Sequence, residues 1–491
     1  MRTWAARVAC VTAVLGVAPA CSDTAPARAQ VVLVVDTDAH VVGELPSNLQ
    51  VSPDSAIDTL RIEVFDDQNH EVDLRTFVVA DPASWPLSFG IEPSAAFGSE
   101  VRVQILGFRS LFSASGTDSN GNATLDPRPE VTLDRLVALP LPSSGIEYVS
   151  VTIQTDCMGT PSSFGSPLTT CIDASQLTGD PHTGVTVSGT SPTAASSVGT
   201  WAPALEVPCN ATPGAQQVCI PGGFFILGDL DAVGDGETMA YETVPLRPVI
   251  MSPFLLDEYE FTVGKFRQLL ASGAFTGAKP VPTTPSDPYD QFCTWPANND
   301  ASHDDYPLNC VPYASAQALC ALSTGGAGHG ALPTEAQWEY AARGRGQRQR
   351  YPWGNVEPSC CSASIDRAGP PDVPTLCPGT GVEPVGSHPL APSCMVGGVI
   401  TGDVSRDGVF DMAGSLSEVL GDFEQAYSAS CWMPPAILTD PSCQATNAAS
   451  GQRGSNWNGG EATAFLPLRN SASSDGDPTT GFRCAYADTA P

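Results

Sequence analysis

The sequence predicts an α+β protein, with an all-β sandwich ahead of a loop-rich domain that holds few helices. Three observations carry this. Residues 28–155 contain seven short apolar runs divided by turn-rich breaks. From about residue 215, capped amphipathic helical segments stand in a chain otherwise dense in Gly and Pro. Between the two halves, residues 156–214 form a Ser/Thr/Gly-rich stretch. At 491 residues the chain is too long for one ordinary domain.

Residues 1–21 read "MRTWAARVACVTAVLGVAPAC". Arg2 and Arg7 make a basic leader, and Val8 to Ala20 is an apolar run too short to span a bilayer. The end, Ala18-Pro19-Ala20-Cys21, resembles a bacterial lipobox, with Ala18 where Leu is usual. Lipidation at Cys21 is therefore expected, on an exported cell-envelope protein (outer membrane or periplasm); plain cleavage would release a secreted one.

The seven runs from "VVLVVDTD" to "IEYVSVTIQT" read as strands. Leu60, Ile62 and Val64 alternate with Arg61 and Glu63, and Val149, Val151 and Ile153 alternate with polar neighbours. Seven such strands suggest an immunoglobulin-like sandwich. The loop "DSNGNATLD" at 118–126 spaces oxygens as a calcium loop does, but Asn-Gly is simply good turn chemistry and a plain turn is expected. The linker, uncharged over "GVTVSGTSPTAASSVGT", should be flexible.

In the second half, Thr262 caps a helix whose Val263, Phe266, Leu269 and Leu270 share a face, with Gly273 beyond its end. Thr334 and Gln337 form a capping box ahead of Trp338, Ala341 and Ala342, which point inward. The basic island "RGRGQRQR" at 343–350 reads as an exposed loop, or as a dock for an acidic partner.

Net charge is −31, from 22 Lys+Arg against 53 Asp+Glu, so the surface repels phosphate backbones and nucleic-acid binding is excluded. Of sixteen cysteines, Cys10 and Cys21 fall in the leader, and the other fourteen read as disulfides of an oxidising compartment. Spacing suggests Cys157–Cys171, Cys209–Cys219 and Cys431–Cys443. Spacing leaves Cys293, Cys310, Cys360, Cys361, Cys377 and Cys394 open. No C-x-x-C and no paired histidines occur, which argues against zinc.

Eight segments in order, "PGGFFILGD", "SPFLLDEYEFT", "NCVPYASAQALC", "LPTEAQWEYAARG", "YPWGN", "FDMAGSLSEVLGD", "RGSNW" and "GFRCA", resemble the formylglycine-generating enzyme (sulfatase-modifying factor) family over roughly 215–489. The resemblance implies a loop-rich C-type-lectin-like fold and a disulfide between Cys320 and Cys484. Active members oxidise a sulfatase cysteine to formylglycine with one Cu(I) held by two thiolates, soft ligands for a soft ion. Those two places fall here near Gly459 and Ala464, and residues 444–483 contain no cysteine. Copper is therefore not expected, and no catalytic residue is assigned. Nor do the scattered histidines offer the iron-binding triad of the related sulfoxide synthases.

The family's calcium segment carries over to Asp411 and Glu418 as side-chain ligands and to Gly414 and Leu416 as carbonyl donors, although its N-x-W-E-W is altered at Ser415, Ser417 and Val419. The reading of the whole is a non-catalytic relative in binding or assembly at the cell envelope, with a protein or glycan ligand. Alternatives are a formylglycine-generating oxidoreductase using Cys431 and Cys443, and a structural envelope protein.

Overall fold

A computed structural model describes residues 29–44, 51–117, 123–230, 243–296, 300–326, 328–368, 376–433, 437–445 and 448–488. The leader, with Cys21, lies outside these described residues.

The seven expected runs are all strands, and a hairpin is added to them. They are β1 (Gln30–Thr37), β2 (Thr59–Phe65), β3 (Glu71–Val78), β4 (Leu87–Ile91), β5 (Glu100–Phe108), β6 (Ser113–Thr117), β7 (Ala123–Pro127), β8 (Leu133–Pro140) and β9 (Ile146–Ile153). β6 and β7 pair as the hairpin, and residues 118–122 of the loop expected to be a plain turn lie outside the described residues. One sheet sets β1 between β4, antiparallel, and β9, parallel; the other runs β8-β5-β2-β3. Alternation decides which residues face in: Leu60, Ile62 and Val64 of β2 meet Val149, Val151 and Ile153 of β9 in one core.

The supposed linker is not free. Part of it, β10 (Thr186–Ser188), joins the first sheet beside β9. The Ser197 backbone N–H and hydroxyl both donate to Asp36, at 2.8 and 2.9 Å. Trp201 is buried in the sandwich core, and its Nε1 donates to Asp156 at 2.8 Å. A low-charge composition foretold flexibility, yet hydroxyl and backbone bonds plus one aromatic anchor hold the segment.

The second half contains β11 (Gln217–Ile220), β12 (Gly223–Leu227), β13 (Arg247–Met251), β14 (Phe254–Asp257), α1 (Val263–Ala271), α2 (Tyr313–Leu322), α3 (Glu335–Ala342), β15 (Ser417–Phe423), β16 (Ser450–Arg453), β17 (Arg469–Ser471), β18 (Thr480–Gly481) and β19 (Ala485–Ala487). Small sheets run β11-β14-β19 and β17-β16-β15-β18, and β12 pairs with β13. Thr262 caps α1 through the Lys265 N–H at 3.2 Å. On α3 the expected capping box is closed both ways, at 3.2 and 2.9 Å. Seven disulfides use all fourteen cysteines: the three spaced pairs, Cys320–Cys484, Cys293–Cys310, Cys360–Cys377 and Cys361–Cys394.

The halves share β12. Its run "GFFIL" is buried on both faces, as a continuous apolar strand must be. Phe224 and Ile226 enter the sandwich core, while Phe225 and Leu227 enter the core around α3. The basic island closes the same seam. Arg343 is buried against Asp229 at 3.0 Å, and Arg345 pairs with Glu206 at 2.5 Å and Asp407 at 3.2 Å. Arg348 lies 4.9 Å over the Phe112 ring of the sandwich. Neither expectation for this island was right: it is not an exposed loop, and its acidic counterparts belong to its own chain.

Candidate functional site

The site is built outward from α3. Its Glu335 and Glu339, four apart and so on one face, are both buried. Fully buried Arg453, the Arg of the "RGSNW" frame, reaches both: Nε donates to Glu335 at 2.9 Å and Nη2 to Glu339 at 2.7 Å. Its Nη1 donates to the Leu466 and Pro467 carbonyls at 3.2 and 3.0 Å, which draws the following loop back onto the frame. Arg469 adds Nε and Nη2 bonds to Glu335 at 2.5 and 2.8 Å, and Arg343 bonds Glu339 at 2.8 Å. Burial opposes ionisation of Glu335, but Arg453 and Arg469 outweigh it and hold its carboxyl below the usual range.

Beyond Arg453 the chain must turn against Trp338. Gly454 has φ +78°, and a Cβ there would stand 3.0 Å from the Met412 carbonyl oxygen and 3.2 Å from the Trp338 ring. Ser455 and Asn456 follow, and the Gly459 N–H closes a turn onto the Asn456 carbonyl at 2.9 Å. The loop so formed bounds a cavity of about 90 Å3, lined among others by Ser417, Ser455, Asn456, Gly459, Thr463 and Asn470. The Ser455 and Thr463 hydroxyls are 2.6 Å apart, and Asn456 Nδ2 donates to the Ser417 hydroxyl at 3.3 Å.

The two positions aligned with the family's copper cysteines part company here. Gly459 lines the cavity, whereas Ala464 is buried in the core around α3. A Cβ on Gly459 would lie 2.5 Å from Thr463 Oγ1 and 2.6 Å from Ser455 Oγ, so hydroxyls occupy the room a cysteine side chain needs. The lining supplies hydroxyls, amides and backbone, hard or weak donors that do not suit Cu(I). Cys431 and Cys443 are joined to each other, with Cys443 fully buried. The donor set does not fit copper.

Of the predicted calcium residues, Asp411 and Glu418 are brought near each other, but both carboxylates are engaged. Both Glu418 oxygens accept from Arg483, Nε at 2.9 and 2.8 Å and Nη2 at 2.6 Å, and one also accepts from Trp338 Nε1 at 3.0 Å. Asp411 accepts from the Gly386 N–H at 2.7 Å. Two further carboxylates that sequence reasoning missed sit beside them. Glu260 accepts from the Leu416 N–H at 2.9 Å and the Ser415 hydroxyl at 3.0 Å. Asp403 accepts from the N–H groups of Met412, Ala413 and Gly414 at 2.9–3.0 Å. Burial, and then Asp403, pushes Asp411 up to about 7; burial, and then Asp411 and Glu418, pushes Glu260 well up. Among the described residues no three His, Cys, Asp or Glu side chains are grouped to hold a metal. The oxygen type suits calcium, but an ion here would have to displace Arg483 from Glu418, so the cluster does not fit calcium as it stands.

For two of the missed residues a signal was present. Glu335 and Glu339 bracket Trp338 on a helix whose inward face was already assigned, which places them inside too. Glu260 gave none, because its partners Ser415 and Leu416 lie 155 and 156 residues away, and Asp403 gave none, because no local motif ties it to the N–H groups 9 to 11 residues on.

A helix-poor, disulfide-stapled domain of short strands, built on a capped Glu-x-x-x-Glu helix and an Arg-Gly frame, is the class that this geometry defines. The chain belongs to the family described as sulfatase-modifying factor enzyme 1-like domain, which matches residues 204–488. The formylglycine-generating enzyme of Thermomonospora curvata is 34% identical over 166 residues, 28% of this chain and 52% of that protein. The Bos taurus formylglycine-generating enzyme is 29% identical over 174 residues, 29% of this chain and 44% of that one. The chain thus spans about half the length of the curated relatives it matches. Among solved structures, PvdO from Pseudomonas aeruginosa is similar at 21% identity and a TM-score of 0.39, over 55% of this chain and 94% of that one.

Proposed function

We propose that this chain is a non-catalytic member of its family, acting by binding or assembly at the cell envelope. The observation that supports it best is the lining around Gly459, where Ser455 and Thr463 hydroxyls stand in the space of a thiolate. Oxidising a substrate thiol with O2 needs a centre that holds the sulfur and activates oxygen, and no group lining this cavity is a Cu(I) thiolate ligand. The cavity's polar groups suit recognition of a protein or glycan ligand instead. The alternative oxidoreductase would need Cys431 and Cys443, and a disulfide sulfur is a poor copper ligand. Export, with a lipid on Cys21 as the only membrane attachment, is part of the proposal. Seven disulfides favour an oxidising compartment for it.

The test loads the purified chain with Cu(I), removes the excess and measures copper per protein. The chain is then incubated under oxygen with a peptide carrying the C-x-P-x-R motif. Substoichiometric copper and no aldehyde product are expected. Stoichiometric copper together with an aldehyde would overturn the proposal. A glycan and peptide array separates a binding role from a purely structural one.

A further inference from the structure

A second cavity lies where β14, the first turns of α1, the end of α2 and β19 meet. Its volume is about 250 Å3, and it shares no lining residue with the cavity at Gly459. Asp257 and Lys265 face each other in it, with Lys265 Nζ 3.5 Å from Asp257 Oδ2. The two differ in burial. The Asp257 carboxylate is 1% exposed, fixed by the Tyr486 hydroxyl at 3.1 Å and the Cys484 N–H at 3.3 Å. The Lys265 side chain keeps about a quarter of its surface and makes no hydrogen bond among the described residues. Gln268, one turn along the exposed side of α1, adds an amide at the rim.

We infer that this cavity binds a neutral polyol, one sugar ring, through Lys265, Asp257 and Gln268. Charge selects the ligand. An anionic ligand that met Lys265 would also meet the buried Asp257 carboxylate, and a cationic ligand that met Asp257 would meet the ammonium. A hydroxyl both donates and accepts, so vicinal hydroxyls satisfy a Lys–Asp pair at once without an unpaired charge. The net charge of −31 further disfavours anions. Burial raises the Asp257 carboxyl above its usual range, with Lys265 opposing, so a group that hydrogen-bonds this carboxylate improves its environment. The volume lies below the ~300–1,000 Å3 of sites for drug-sized ligands, which fits a single ring. Apolar Leu269 and Leu322, both partly exposed, complete the wall, against which the C–H face of a ring can lie.

The experiment is saturation-transfer NMR on the full chain with the methyl glycosides of glucose, galactose and mannose at millimolar concentration. Glucuronate and glucosamine serve as charged controls, and cellotriose as a chain end. At least one neutral glycoside is expected to bind, with the charged analogues at least tenfold weaker. Tighter binding of cellotriose marks a glycan terminus as the source; equal binding marks a free sugar. Lys265→Met keeps the aliphatic stem and should weaken binding at least tenfold. Gln268→Ala changes an exposed residue, and should weaken it several-fold in a protein of unchanged melting temperature. Absence of transfer to every neutral sugar would overturn the inference. So would glucuronate binding more tightly than the neutral glycosides, or binding indifferent to the Gln268 change. Failure here leaves the copper assay at Gly459 untouched, since the two sites share no residue.

Discussion

Two regions of the domain bury charge, and they do so differently. Around α3, Glu335 and Glu339 are met by Arg453, Arg469 and Arg343, and Arg343 is met in turn by Asp229. Every member has a partner within 3.0 Å, and the Glu335 carboxyl is held low. Around the 403–418 turn stand Glu260, Asp403, Asp411 and Glu418; of these four Arg483 bonds Glu418 alone, and it gives further N–H bonds to the Asp257, Glu258 and Phe410 carbonyls. The other three are fixed by N–H and hydroxyl donors, and their carboxyls are pushed up by burial. The balanced network can only hold the frame in place. The acid-rich turn carries a charge debt, and a proton or a cation would relieve it.

The contrast breaks most sharply at Arg453. Arg453→Met removes the group that ties Glu335 to Glu339 and leaves both under-compensated in the core. The expected loss is about 3–5 kcal/mol in chemical denaturation. A change below about 1 kcal/mol would mean that Arg469 and Arg343 suffice, and that the frame does not depend on its first residue.

A smaller effect should come from Asp422, which lies beside the balanced network and is not part of it. Its oxygens accept from the N–H groups of Glu335 and Cys443 and from Ser442, yet burial pushes its carboxyl up to about 6. The folded state therefore binds this proton more tightly than the unfolded chain does. The cost is complete above about pH 6 and is relieved as pH falls toward the unfolded value near 4. Comparison of Asp422→Asn with the parent by denaturation from pH 8 to 5 should show the parent gaining on the variant by about 1–2 kcal/mol. Parallel curves would show that Asp422 titrates normally.

The smallest expected effect is calcium's. Because Arg483 already holds Glu418, millimolar calcium or chelator should leave the melting temperature within about 1 °C. A rise of several degrees in calcium would show that the ion displaces Arg483, and would restore Asp411, Gly414, Leu416 and Glu418 as a calcium site.

Much of this was legible in advance, and what was legible is local. Short apolar runs between turn-rich breaks, alternating clearly in places, marked the seven strands, and cap chemistry at Thr262 and Thr334 marked two helices, because these signals act over a few residues. Three cysteine pairs followed from short spacing. The gap between Arg453 and Cys484, with no sulfur in it, was visible before any fold was known. Motif order put the two aligned positions near Gly459 and Ala464 without saying where they face, and only the fold sets Gly459 in a cavity lining and Ala464 in the core: motif spacing carries position along the chain and not the direction a residue faces.

What remained was decided by partners far apart in the chain. The basic island 343–350 looks solvated by composition, and only the fold brings Glu206, Asp407 and Phe112 to it. The stretch around Trp201 looks like a tether until Asp36, Asp156 and Phe224 hold it. The pairing of Lys265 with Asp257 is hidden because they stand eight positions apart, across a strand end and a helix start. Propensity, capping and alternation act between neighbours, so amino-acid order states them directly. Charge compensation and a shared core act through space, and only the assembled chain says which ions meet.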